Sequence, residues 1–165
     1  MNVEIKTGMI FGGIIITGIV FLMILFTGLD ELTITNQELG TKKAPNLVGI
    51  AHYLNTSPEE LVKRMENKVV LYDIWTYSCI NCIRTLPFIT SWDEKYSEQG
   101  LLIVGIHSPE FEFEKDPQNV EIAIEKYGIT YPVVMDNDMK TWKAFENNYW
   151  PRKYIADHEG NLRYD

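Results

Sequence analysis

The two cysteines of the 165-residue chain stand three positions apart, in Trp75-Thr76-Tyr77-Ser78-Cys79-Ile80-Asn81-Cys82. They fall at the junction of two unlike patterns. Before them, Lys68-Val69-Val70-Leu71-Tyr72-Asp73-Ile74 reads as a strand in an apolar setting. After them, Ile80 to about Ser97 reads as a helix, with Gly100 as its stop signal. A second apolar run, Leu101 to His107, follows. The unit is therefore β-α-β, with a parallel strand pair expected. This places Cys79 at or just before a helix N-terminus. Unpaired N–H groups and the positive end of the helix dipole there favour a thiolate over a thiol. A thiolate is the species that attacks disulfides.

Two cysteines cannot make a disulfide framework, so the pair is catalytic, metal-binding or incidental. A structural zinc site needs four ligands, and no second pair exists; His52, His107 and His158 are scattered. No metal and no cofactor is expected. The net charge of −8 and the lack of a basic stripe argue against nucleic acid as a partner.

The N-terminus differs from the rest. Gly8 to Leu29 is uncharged and rich in Ile, Phe, Leu and Met. At helical rise it would be roughly 33 Å long, enough to cross a bilayer core. Its apolar run exceeds a typical signal-peptide core, and cleavage after Gly28 would put Phe26 where a small residue is wanted. Residues 1–29 are therefore read as one uncleaved transmembrane anchor. Lys6 on one flank, with Asp30 and Glu31 on the other, favours an extracytoplasmic domain, although Lys42 and Lys43 blur the count. Gly8 and Gly12 form a G-x-x-x-G, a helix-pairing face or simply membrane-helix composition.

Residues 30–45 read as a linker and 46–165 as one α/β domain. A first strand is expected around Leu47 to His52. Ser57-Pro58-Glu59-Glu60 starts a short helix, with Ser57 as cap and Pro58 at the first helical position. Pro109 to Asp116 is acidic and aromatic and reads as a loop. Asp116-Pro117 opens a helix ending at Gly128. Tyr131 to Met135, Lys153 to Ala156 and Leu162 to Asp165 read as strands, with a short helix from Met139 to about Glu146.

Asp73 is an acid inside an apolar strand, six residues before Cys79. It either faces solvent at a strand edge or is buried with a raised pKa. A buried carboxyl near a dithiol can relay a proton to the resolving cysteine. Pro87 interrupts the helix pattern after Cys82. Trp150-Pro151 lies between a helix and a strand. Glu110, Glu112 and Glu114 follow the second strand, as an acidic rim or a solvated loop. His107 ends that strand, as a structural residue or an influence on thiol protonation. Trp92 and Trp142 read as core or helix-packing residues. Asn55-Thr56-Ser57 matches a glycosylation sequon.

The run Asp73-x-Trp75-x3-Cys79-x2-Cys82-x4-Pro87 resembles the thioredoxin-superfamily signature. WTYSCINCIRTLP, VGIHSPEFEFEK, NVEIAIEKYGITYPVVMDND and YWPRKYIADHEGNLRY resemble the TlpA-like thioredoxins, in particular the DipZ-type extracytoplasmic domain. The resemblance implies a thioredoxin-like fold with a TlpA-type insertion at the acidic segment and the helix after it. It implies that Cys79 attacks, that Cys82 resolves, and that the two form the redox-active disulfide. Asp73 would match the buried acid and Pro151 the cis-proline of the substrate groove, with Trp75 and Trp150 as substrate-binding neighbours. The implied partners are protein dithiols and disulfides, with a membrane electron-transfer protein among the candidates. One departure is expected to matter. Such folds usually end in a helix covering one sheet face; here that helix is missing, so an exposed sheet face and edge are expected.

The function expected is thiol–disulfide exchange, with the resemblance favouring the reducing direction. Two other readings remain. A copper carrier of this fold would usually space its cysteines by three residues rather than two. A peroxide reductase would need a peroxidatic cysteine in a different context.

Overall fold

Side chains alternate across a strand, so Val69–Trp75 presents two sets: Val70, Tyr72 and Ile74 on one face, Leu71, Asp73 and Trp75 on the other. In the computed structural model, which describes residues 42–165, both sets are buried. That is why the run reads as apolar throughout. The described chain forms β1 (His52–Leu54), α1 (Pro58–Met65), β2 (Val69–Trp75), α2 (Ile80–Tyr96), β3 (Leu101–His107), α3 (Pro117–Lys126), β4 (Val133–Met135), α4 (Lys140–Ala144), β5 (Arg152–Ala156) and β6 (Leu162–Tyr164). The strands join in one six-stranded sheet of order β1-β4-β3-β2-β5-β6. β2 pairs parallel with β3, and β3 parallel with β4. β5 pairs antiparallel with β2, β6 with β5 and β1 with β4.

Each face carries its own core. On one, Leu61 of α1, Trp142 of α4 and Phe145 pack on Val70, Tyr72, Ile74, Val104, Ile106 and Tyr154, with Ala44, Leu47 and Ile50 alongside. On the other, Cys82, Leu86 and Ile89 of α2 and Val120 and Ile124 of α3 pack on Leu71, Trp75, Ile103 and Val133. The bare sheet face expected from the sequence is thus not found: α1, α4 and residues 44–50 pack there. The outer strand β6 also has company. Lys43 bridges to Asn161, Leu162 N–H donates to the Lys42 carbonyl, and Ala44 N–H donates to Gly160. Residues 42–45, read from the sequence as linker, are therefore tied to the domain. The expected anchor, residues 1–29, lies outside the described residues, as does most of the linker.

Three local differences have physical causes. The first strand begins at His52 rather than Leu47, because the Thr141 hydroxyl takes both backbone groups of Val48. Gly49, at φ +65°, then turns the chain against the Lys140 side chain. Trp142 packs in the core as expected, whereas Trp92 on α2 is 42% exposed. The segment after β3 is not a plain loop: Glu112–Lys115 forms a 3₁₀ turn whose Glu114 is fully buried.

α1 starts where the sequence indicates, with the Ser57 hydroxyl accepting from Glu60 N–H. α2 runs without interruption through Pro87.

Candidate active site

The last residue of β2 and the first turn of α2 are joined by Thr76, Tyr77, Ser78 and Cys79, so the dithiol sits at the C-terminal end of a central parallel strand. Cys79 is the N-cap of α2, and its sulfur accepts a hydrogen bond from Cys82 N–H at 3.3 Å. This satisfies one of the orphan donors that open every helix. Helical spacing turns the two cysteines to different environments. Cys79 is partly exposed and Cys82 is fully buried, packed with Leu86 and Ile89. Burial pushes the Cys82 thiol well above its ordinary range. A hydrogen bond to the Cys79 sulfur and the negative charge of Asp73 push the same way. Cys82 is held as a thiol, and something must take its proton before it can act as a nucleophile.

Asp73 is the buried acid whose charge acts on this thiol. It is fully buried on the face that α2 covers, so the solvent-facing reading does not hold. The antiparallel register sets Lys153 of β5 directly opposite. Lys153 Nζ donates to Asp73 Oδ1 at 2.7 Å and lies 3.3 Å from the Thr85 hydroxyl. Thr85 in turn donates to the Cys82 carbonyl at 2.8 Å. Burial raises the Asp73 pKa above the usual carboxylate value, while the Lys153 ammonium draws it back. The second oxygen, Oδ2, is buried with no hydrogen-bond partner. A carboxylate with one oxygen pinned and one open is suited to receiving a proton. The sequence indicated Asp73 but gave no sign of Lys153, whose only signal is an alternation that matters once β5 is known to pair with β2.

The other expected site residues are distributed as follows. Trp75 is fully buried, with its ring edge-on to His107 at 5.4 Å, so in this conformation it offers no surface to a substrate. Trp150 is partly buried. It packs on Trp142 at 4.1 Å and donates its indole N–H to the Ser108 carbonyl. The Trp150–Pro151 peptide is cis. Pro151 is partly buried and leads directly into β5, two residues before Lys153. His107 is buried between Trp75 and Tyr77, and burial lowers its pKa to about 4. It is therefore a neutral packing residue at ordinary pH, 3.3 Å from the Thr76 hydroxyl.

Glu114 was missed by sequence reasoning, which placed it in a rim or solvated loop. Burial works to raise its pKa, but hydrogen bonds outweigh that and hold the carboxyl below its usual range. Ser78 and Thr76 hydroxyls and the N–H groups of Phe111 and Glu110 supply them. The carboxylate thereby joins residues 110–114 to the segment that leads into Cys79. Among the described residues, no three His, Cys, Asp or Glu side chains gather as a metal site.

This geometry agrees with comparisons to known proteins. The AhpC/TSA family profile matches residues 42–165. Protein DipZ of Mycobacterium tuberculosis (strain CDC 1551 / Oshkosh) is 43% identical over 123 residues, covering 73% of this chain but 18% of that protein. The chain thus spans less than a fifth of that relative. Thiol-disulfide oxidoreductase YkuV of Bacillus subtilis (strain 168) is 33% identical over 122 residues, 73% of this chain and 80% of that one. A thioredoxin-like protein solved in its oxidized form superposes with a TM-score of 0.66 at 31% identity, covering 74% of this chain and 82% of its own. With the matched region, the sheet order and the dithiol at the head of α2 all in agreement, the chain belongs to the AhpC/TSA family and has the thioredoxin-like fold.

Proposed function

We propose that this chain is a membrane-anchored thiol–disulfide oxidoreductase that reduces disulfides of partner proteins outside the cytoplasm through Cys79 and Cys82. The observation that carries this reading is the asymmetry of the pair. Partly exposed Cys79 sits at a helix N-terminus, and the buried Cys82 thiol feels the charge of a buried carboxylate that has one open oxygen. YkuV, a relative matched over most of its length, bears the name of this activity. The anchor rests on the apolar run Gly8–Leu29. Among the described residues no helix is long and apolar enough to cross a membrane.

The chemistry follows from the two environments. Cys79 sulfur attacks one sulfur of the partner disulfide; that bond breaks, the other partner sulfur leaves as a thiolate, and a mixed disulfide forms. Cys82 then gives its proton to Asp73 and attacks Cys79 sulfur. The Cys79–Cys82 disulfide forms and the second partner sulfur leaves. Two electrons have passed from this domain to the partner. A dithiol donor, for which a membrane electron-transfer protein is the candidate, reverses the steps and restores the domain. Trp150 and Pro151, at the entry to β5, are assigned to the substrate groove.

The test uses the full chain and a peptide pair joined by one interchain disulfide. Wild type reduced by excess dithiol should turn the disulfide over, Cys79→Ser should not, and Cys82→Ser should accumulate a mixed disulfide. If Cys79→Ser accumulates it instead, the roles are reversed. Failure of every form to react removes the reading, and stoichiometric copper retention after dialysis together with no disulfide reductase activity would decide for a copper carrier. Hydroperoxide turnover as fast as disulfide turnover would favour a peroxide reductase. Carbonate washing of membranes tests the anchor, and full release of the chain would exclude it.

A further inference from the structure

The exchange chemistry leaves an exposed apolar surface beside the dithiol without a role. Tyr77, two residues before Cys79, stacks on His107 at 5.6 Å and meets Phe113 at 6.3 Å. Phe113 stacks on Phe111 at 5.4 Å and 7°. Phe111 and Phe113 are 48% and 55% exposed, and Ile122 on α3 is 64% exposed. Between this aromatic shelf and α3 runs an open groove of about 490 Å³, whose walls include Tyr77, Ser78, Phe113, Ile122 and Tyr127. Scattered apolar residues on a surface are ordinary, whereas contiguous ones around a concavity mark a contact site.

The shelf is also held rigidly. Phe113 carbonyl accepts from the Tyr77 hydroxyl at 3.2 Å and from Asn119 Nδ2 at 3.0 Å, tying the segment before Cys79, the 3₁₀ turn and α3 together. Beneath it, Glu114 Oε2 accepts from the N–H groups of Glu110 at 2.6 Å and Phe111 at 2.9 Å, while Oε1 takes the Ser78 hydroxyl. A buried carboxylate is costly unless fully hydrogen-bonded. Here its bonds fix two exposed phenylalanines relative to the residue next to the attacking cysteine. A surface fixed before contact loses less entropy on binding.

We propose that this groove receives a bulky apolar side chain of the partner polypeptide, close in sequence to its reactive cysteine. The proposal rests on the oxidoreductase reading and names its substrate class. The occupant follows from continuity with the reaction centre. Thiol exchange brings a partner cysteine onto Cys79 sulfur, and Ser78, the adjoining residue, is itself a wall of the groove. Tyr77 is two residues away, at most about 7 Å along the chain. A partner segment leaving Cys79 in this direction therefore crosses the shelf within about two or three of its own residues.

The test measures kcat/KM of the full chain on two peptides, each with one cysteine in a mixed disulfide with a chromogenic thiol. One peptide carries Phe two residues from the cysteine and the other carries Ser there. The small disulfide of the chromogenic thiol itself is run alongside. Wild type should prefer the Phe peptide by about tenfold or more, the scale of discrimination an apolar pocket achieves. In Phe113→Ser and in Ile122→Ser the preference should fall to threefold or less, roughly, because part of the pocket wall is gone. The readout is a ratio within each variant, so a general loss of activity cancels. Equal kcat/KM for the two peptides on wild type, or a preference that survives both substitutions, overturns the proposal while turnover of the small disulfide upholds the parent reading. Absence of any turnover defeats both.

Discussion

Lys153→Met removes the ammonium that bonds Asp73 and leaves the pocket otherwise filled. In the native protein Asp73 is fully buried and Lys153 Nζ stands 2.7 Å from Oδ1, with 21% of the lysine side chain exposed. Deleting one partner of a buried ion pair destabilises by about 3–5 kcal/mol when the remaining charge has no other partner. Water reaches the lysine end of this pair, so the lower figure, about 3 kcal/mol, is expected when Asp73 is ionised. Burial already raises the Asp73 pKa and Lys153 is what restrains it. Without the ammonium it rises further, and the carboxyl is protonated over a wider pH range. A carboxyl whose folded pKa is raised binds its proton more tightly folded than unfolded. Its contribution is therefore most favourable below the unfolded value near 3.8, and stability falls as pH climbs toward the folded pKa. The destabilisation caused by Lys153→Met should thus be small at pH 4, roughly 1 kcal/mol or less of lost side-chain packing, and largest at pH 8. Urea unfolding of the full chain at pH 4, 6 and 8 measures it. Adding Asp73→Asn to Lys153→Met should flatten the pH dependence. Lys153→Met alone should resolve mixed disulfides more slowly at neutral pH, since an already protonated Asp73 cannot accept the Cys82 proton. A loss of stability equal at pH 4 and pH 8 would refute the assignment of Lys153 as the charge that governs Asp73.

Alkylation of the reduced protein should modify Cys79 well before Cys82, because Cys82 is fully buried and its thiol is held protonated; mass mapping of the first adduct decides it. His107, with a pKa lowered to about 4 by burial, should show no NMR titration between pH 5 and 8. Since the unfolded chain binds that proton more readily, His107 should withdraw stability as pH falls from its ordinary value of 6.5 toward 4; a midpoint near 6.5 in the folded protein would contradict its burial. At Gly105 an added Cβ would meet Trp75 Nε1 and Val133 Cγ2 at 3.1 Å and Tyr131 Cε2 at 3.3 Å. Gly105→Ala should therefore cost about 1–3 kcal/mol by overpacking, and an unchanged denaturation midpoint would show that this layer yields. Glu114→Ala strands the N–H groups of Glu110 and Phe111 and the Ser78 hydroxyl, for a loss of about 3 kcal/mol; thermal unfolding measures it, and a shift below a degree would mean these donors find water.

What the sequence determined by itself is local. The change from a continuous apolar run to a helical period around Cys79, and back to an apolar run after Gly100, defines β2, α2 and β3 because each pattern is set by neighbours in the chain. Ser57 and Asp116 cap their helices as the sequence indicates, through backbone N–H groups two or three residues away. The dithiol at a helix N-terminus was legible for the same reason. Tertiary structure decided what depends on distant partners. Lys153 meets Asp73 across 80 residues because β5 pairs antiparallel with β2 in one register; a slip of one residue would turn it to the other face. Glu114 reads as a solvated acid until the donors of Ser78 and of residues 110 and 111 close around it, and only then does burial become affordable. Leu47 to Ile50 has strand-like composition, yet Thr141, more than 90 residues on, occupies the backbone groups that a strand partner would have used. Trp75 and Trp92 are both large aromatics in ordered elements, and composition does not distinguish them. Trp75 is buried because β2 is central and covered on both faces, and Trp92 is exposed because it lies off the stripe of Cys82, Leu86 and Ile89 that α2 buries.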